Sequence, residues 1–121
     1  MQKPSILVVD DDDDMRTILC VVLSAEGYRV VGAADGLEAL ECIRGDDPPA
    51  LVFVDLMMPR MNGEDLINAM TQDPSLARIP IAVMSGQLTM RVPGQNAGVI
   101  ARLAKPIELD EILTVAHQFA A

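Results

Sequence analysis

Four short apolar runs in this chain each end in a chemically capable residue. Ile6-Leu7-Val8-Val9 delivers Asp10 and Asp11, Leu51-Val52-Phe53-Val54 delivers Asp55, Ile81-Ala82-Val83-Met84 delivers Ser85, and Leu103-Ala104 delivers Lys105. Runs that are apolar at successive positions, without polar alternation, suit strands covered on both faces of a parallel sheet. In an open parallel sheet all four run ends converge on one edge, where ligands of such folds bind. Two buried strands that both end in carboxylates are a recipe for a cation site.

The intervening segments read as helices. Met15, Ile18, Leu19, Val22 and Leu23 recur at helical spacing, as do Leu109, Ile112, Leu113 and Ala116 near the end of the chain. Gly27, Gly45 and Asp73-Pro74 mark the ends of the first three helices, and Gly63 opens the third. Strands are expected near 5–10, 29–33, 50–55, 80–85 and 100–104. This alternation predicts a doubly wound α/β domain with a five-stranded parallel sheet and helices on both faces. With 121 residues and no interdomain linker or repeat, residues 1–121 read as one domain. A further helix is expected over about 87–97, but it contains Pro93-Gly94. Proline costs about 3 kcal/mol in a helix interior and glycine about 1, so this helix is expected to be short, broken or mobile.

Composition limits the chemistry. Tyr28, Phe53 and Phe119 are the aromatic residues, so the core must be aliphatic, with methionines such as Met57, Met58, Met61, Met70 and Met84 read as flexible core filler. A formal charge of −9 argues against direct binding to nucleic acid or anionic lipid, which needs clustered Lys and Arg. No stretch approaches the roughly 20 apolar residues of a membrane span, and the N-terminus lacks the pattern of a secretory signal, so the cytoplasm is the expected location. Cys20 and Cys42 show no metal or redox spacing and are expected to be reduced. Residues 12–14 read as a solvated helix cap, and His117 as a surface or packing residue.

The ordered set Asp10-Asp11, Asp55, Ser85 and Lys105 resembles the receiver domain of two-component response regulators, and the resemblance runs from Ile6 to about Phe119. Met58-Pro59, Met61-Asn62-Gly63 and Pro106 match the family as well. The resemblance implies a strand order of 2-1-3-4-5, as in the chemotaxis members of this family. That order reverses between strands one and three, which places the binding crevice beside Asp10, Asp11 and Asp55. It further implies that Asp55 is the phosphoacceptor, that Asp10 and Asp11 form the acidic pair, and that the phosphoryl donor is a histidine kinase or phosphotransfer protein. The output is then an unnamed downstream protein target, and the product is a switch, not the result of a turnover enzyme.

The residue types suit that chemistry. Mg2+ prefers about six oxygens and keeps several waters. Asp11, Asp55 and the backbone carbonyl of Met57 are the expected direct ligands, with Asp10 acting mainly through water. Asp55 would attack phosphorus in line, while Lys105 and Ser85 stabilise the phosphoryl oxygens from the other side. A cis peptide between Lys105 and Pro106 is expected from the family and from the need to aim Lys105 back into the pocket.

Departures from the family fall in the switch region of Gly86, Gln87 and Arg102. Three residues before Lys105 the family usually carries an aromatic residue whose burial tracks activation, and Arg102 stands there. A guanidinium is costly to bury, so the usual aromatic switch is missing or replaced. Two rival functions compete. In a haloacid-dehalogenase-like phosphohydrolase, residues 10–12 would be the DxD nucleophile motif, but Asp55 would then have no role. A phosphorylation-independent pseudo-receiver adaptor usually lacks an acid or the lysine, and none is lost here. A flavodoxin-like FMN carrier shares the fold, but the loop after Val9 is acidic where a flavin phosphate needs donors.

Overall fold

The computed structural model describes residues 5–45, 47–57, 62–86 and 98–120. In chain order they form β1 (Ser5–Val9), α1 (Asp13–Ala25), β2 (Arg29–Ala33), α2 (Gly36–Ile43), β3 (Leu51–Asp55), α3 (Gly63–Gln72), β4 (Ile81–Ser85), β5 (Val99–Ala104) and α4 (Leu109–Phe119). All strands are parallel in one sheet ordered β2-β1-β3-β4-β5, as the resemblance implied. The helix expected over 87–97 lies outside the described residues.

Position in the sheet explains the composition of each strand. The central strands β3 and β4 are buried at every position and β1 at all but its first, whereas the edge strands β2 and β5 are largely exposed or half-buried. Successive side chains point to opposite faces. Leu7, Val9, Val52, Val54, Ile81 and Val83 therefore pack with α2 and α3, while Ile6, Val8, Leu51, Phe53, Ala82 and Met84 pack with α1 and α4. At about 25 cal/mol per Å2 of apolar surface removed from water, these two aliphatic layers are the main favourable term in folding.

Helix starts are fixed by side-chain caps. Asp12 accepts from the amides of Asp14 and Met15, Asp35 from that of Glu38, and Asn62 from that of Asp65. The periodic stripe on α1 is narrower than its spacing suggests, because Leu19 and Leu23 are fully buried but Ile18 remains exposed. Among the methionines, Met70 and Met84 are core residues, but Met57 is 62% exposed and fills no core space. His117 packs against the Tyr28 ring and faces Glu26 at 3.5 Å.

Candidate functional site at the carboxyl edge of the sheet

Register alone brings the polar strand ends together. Val9 pairs with Val54, so Asp10 and Asp55 are next along their strands, and Ser85 pairs with Ala104, so Lys105 follows beside it. The Lys105 amide donates to the Ser85 carbonyl at 2.9 Å, which ties the two strand ends at the site. The Lys105–Pro106 peptide bond is cis.

Asp10, Asp55 and Ser85 are buried polar residues, whereas Asp11 is exposed. Lys105 Nζ lies 2.8 Å from Asp55 Oδ2 and 4.0 Å from Asp10 Oδ2. Asp55 Oδ1 accepts from the Met57 amide at 3.0 Å, and Asp10 Oδ1 from the Asp12 amide at 2.9 Å. Asp10 Oδ2 is buried without a hydrogen-bond partner among the described residues. A buried carboxylate oxygen left without a donor costs about 1–3 kcal/mol or more, so this atom calls for a cation.

Charge balance points the same way. Burial pushes the Asp10 carboxyl up to about 6; the Asp12 amide and Lys105 oppose the rise, and the neighbouring Asp55 carboxylate adds to it. Burial acts to lower the Lys105 ammonium, but the hydrogen bond and charge of Asp55, joined by Asp10 and Asp11, outweigh it and raise the pKa. Asp10, Asp11 and Asp55 each offer a carboxylate oxygen, all within 4.8 Å of one another. Three carboxylates against one ammonium, oxygen donors throughout and an orphaned buried oxygen fit a hard divalent cation such as Mg2+.

The switch candidates are placed as follows. Gly86 follows β4, where a Cβ would meet nothing within 4 Å. Arg102 is exposed on β5 opposite Val83, and Gln87 lies outside the described residues. Asp12 spends its carboxylate on capping α1, which removes it from the second position of a DxD catalytic pair.

A residue that the sequence marked as a helix start and as part of the family match proves closer to the chemistry. Gly63, at the first position of α3, lies so near β3 that a Cβ there would stand 2.5 Å from the Asp55 carbonyl oxygen and 2.6 Å from Leu56 Cα. Its amide also donates to the Leu56 carbonyl at 3.3 Å. Its role rests on a contact between elements, which hydrophobic periodicity does not report.

Comparison with known proteins points to one family. The sequence model described as the response regulator receiver domain matches residues 6–117. The chain is 34% identical over 112 residues to sporulation initiation phosphotransferase F of Bacillus subtilis, covering 93% of this chain and 90% of that protein. It is 42% identical over 108 residues to response regulator MprA of Mycobacterium ulcerans, covering 89% of this chain but 46% of that protein, so it spans about half the length of that relative. The structure resembles a response regulator receiver protein from Pseudomonas putida with a TM-score of 0.86 and 30% identity, covering 98% of each chain.

Proposed function

This chain belongs to the response regulator receiver domain family, and from that premise we propose that Asp55 is its phosphoacceptor and that residues 1–121 act as a single receiver unit. Receiver domains are phosphoacceptor signalling domains of two-component systems. The observation that carries the residue assignment is the 2.8 Å pair between Lys105 Nζ and Asp55 Oδ2 inside a buried acidic pocket. That pair supports reading Asp55 as the nucleophile and Lys105 as the phosphoryl-stabilising cation.

Asp11, Asp55 and the Met57 carbonyl would hold Mg2+, with Asp10 beside them. Bound Mg2+ supplies positive charge that offsets the crowded carboxylates and the phosphoryl oxygens. An Asp55 carboxylate oxygen attacks phosphorus in line, the bond from phosphorus to the donor's histidine nitrogen breaks, and its electron pair stays on the imidazole. Lys105 then transfers its contact from the carboxylate to a phosphoryl oxygen, and the Ser85 hydroxyl donates to another. Because the Ser85 carbonyl is bonded to the Lys105 amide, movement of Ser85 toward the phosphate reaches both β4 and β5. The product is a covalently altered switch and not a released metabolite.

The donor is a histidine kinase or phosphotransfer protein, and the output is a protein target. With Arg102 exposed where the family's switch aromatic stands, signalling proceeds without burial of an aromatic ring. Among the described residues no helix is long and apolar enough to cross a membrane. A receiver charged by a histidine kinase or phosphotransfer protein would work in the cytoplasm.

The proposal is tested by incubating the protein with acetyl phosphate and reading its intact mass. One phosphoryl group per chain should appear with Mg2+ and fail to appear with EDTA. Continuous phosphate release with no retained adduct would support the phosphohydrolase instead.

Neutralising Asp10 separates metal binding from stability. In metal-free protein at neutral pH, Asp10→Asn removes an orphaned buried charge and should stabilise the fold by about 1–3 kcal/mol. The folded carboxyl has its pKa raised above the unfolded value, so its cost is full above about pH 6 and is relieved as pH falls toward 3.8. The advantage of the variant should shrink over the same window. Adding Mg2+ should raise the melting temperature of the wild type much more than that of Asp10→Asn. Equal melting temperatures in EDTA at neutral pH would contradict the unpaired-charge reading.

A further inference from the structure

Arg16 touches neither Asp55 nor Lys105 through any bond described above, yet its guanidinium reaches the acidic loop. Its Nη1 donates to the main-chain carbonyl of Asp10 at 2.7 Å, and its Nη2 pairs with the Asp13 carboxylate. The stem of the side chain runs across Gly32 on β2, where a Cβ would stand 3.1 Å from Arg16 Cδ and 3.2 Å from Cγ. Gly32 pairs with Val8 in the sheet, and the next pair outward, Val9 with Ala33, ends the ladder. The Asp10 amide still finds the Ala33 carbonyl at 3.1 Å. The Asp10 carbonyl, beyond the ladder, is taken up by the guanidinium, as a backbone acceptor near the interior requires.

We propose that Arg16 is a positioning residue for the cation site, acting through the peptide that joins Asp10 to Asp11. This rests on the Mg2+-dependent phosphoacceptor reading above. The peptide before Asp10 is held by β2 through the Asp10 amide, and the peptide after it is held by Arg16 through the Asp10 carbonyl, which restrains its rotation. Asp11 is exposed and follows directly on that plane, so rotation of the plane would carry the Asp11 carboxylate with it. Gly32 supplies the groove that lets the stem lie flat, and the fork of Arg16 serves a carbonyl and a carboxylate at once. A lysine in its place offers a single nitrogen and cannot hold both in that geometry. Partners that orient metal-ligating groups typically change metal affinity about 10–100-fold when removed.

The test uses Arg16→Met, which keeps an apolar stem over Gly32 but removes both hydrogen bonds, and Gly32→Ala, which keeps the guanidinium but crowds its stem. Mg2+ affinity is read by amide shifts on titration, and the rate of phosphoryl uptake from acetyl phosphate is read against Mg2+ concentration. Arg16→Met should weaken Mg2+ binding about tenfold or more and raise the Mg2+ concentration giving half-maximal uptake. The rate at saturating Mg2+ should change much less. Arg16→Lys should fall between the wild type and Arg16→Met, and it serves with Gly32→Ala if Arg16→Met does not fold. Gly32→Ala should weaken binding in the wild type but add little to Arg16→Met, because both act through one side chain. Wild-type Mg2+ affinity in folded Arg16→Met or, failing that, in both Arg16→Lys and Gly32→Ala, would reduce Arg16 to a structural strut and overturn the proposal. A wild-type protein that binds no Mg2+ and takes up no phosphoryl group would overturn the underlying phosphoacceptor reading as well.

Discussion

Asp55→Asn should take up no phosphoryl group from acetyl phosphate while remaining folded. The amide of asparagine is too weak a nucleophile to attack phosphorus, so the loss is expected to be complete within detection. Folding should survive because the asparagine carbonyl can still accept from the Met57 amide, as Asp55 Oδ1 does at 3.0 Å. Lys105 loses its close partner but keeps Asp10 Oδ2 at 4.0 Å. Removal of one of three crowded carboxylates also offsets part of the lost ion pair. Intact mass after incubation with acetyl phosphate and Mg2+, together with a thermal melt, checks both halves. A labelled Asp55→Asn protein would sink the assignment, and loss of label in Asp10→Asn alone would favour the phosphohydrolase.

The second large effect is expected at Gly63. A methyl group there would overlap the Asp55 carbonyl oxygen at 2.5 Å, Leu56 Cα at 2.6 Å and the Asp55 carbonyl carbon at 3.1 Å. These are backbone atoms of a central strand and cannot swing aside as a flexible side chain can. Overpacking of this kind costs about 1–3 kcal/mol and sometimes more. Relief requires either α3 or the end of β3 to move, and the latter carries Asp55. Gly63→Ala should therefore lower stability in urea unfolding by at least about 2 kcal/mol, and the folded fraction should take up phosphoryl groups more slowly than wild type. Wild-type stability and rate together would mean that α3 can retreat without disturbing β3.

The part of the site carried by strand ends was legible because a strand end is written in the sequence as the end of an apolar run. Asp10, Asp55, Ser85 and Lys105 each close such a run, and parallel register brings them to one edge. Strand order was legible only through the family resemblance, since the runs do not say which neighbours pair. Helical spacing located α1 but could not say how wide its buried stripe is; Ile18 sits at the rim and stays exposed. Met57 illustrates the same limit, because the chain turns at the end of β3 and points it outward beside Asp55. The close approach of Gly63 to β3 and the pairing of Arg16 with Gly32 were invisible for a different reason. Each depends on the distance between two elements, and nothing in the local pattern of either element encodes it. The five consecutive aspartates divide by geometry: Asp10 is buried in the pocket, Asp11 stands at its mouth, Asp12 caps α1, Asp13 pairs with Arg16, and Asp14 is exposed on the first turn.

Locating the phosphoryl group by residue tests the phosphoacceptor assignment most directly. After incubation with acetyl phosphate and Mg2+, borohydride reduces an aspartyl phosphate to the corresponding alcohol, and peptide mass mapping identifies the altered position. The expected result is a single reduced residue at Asp55, present with Mg2+ and absent with EDTA. Reduction at Asp10 or Asp11, or at no aspartate in protein that binds Mg2+, would contradict it.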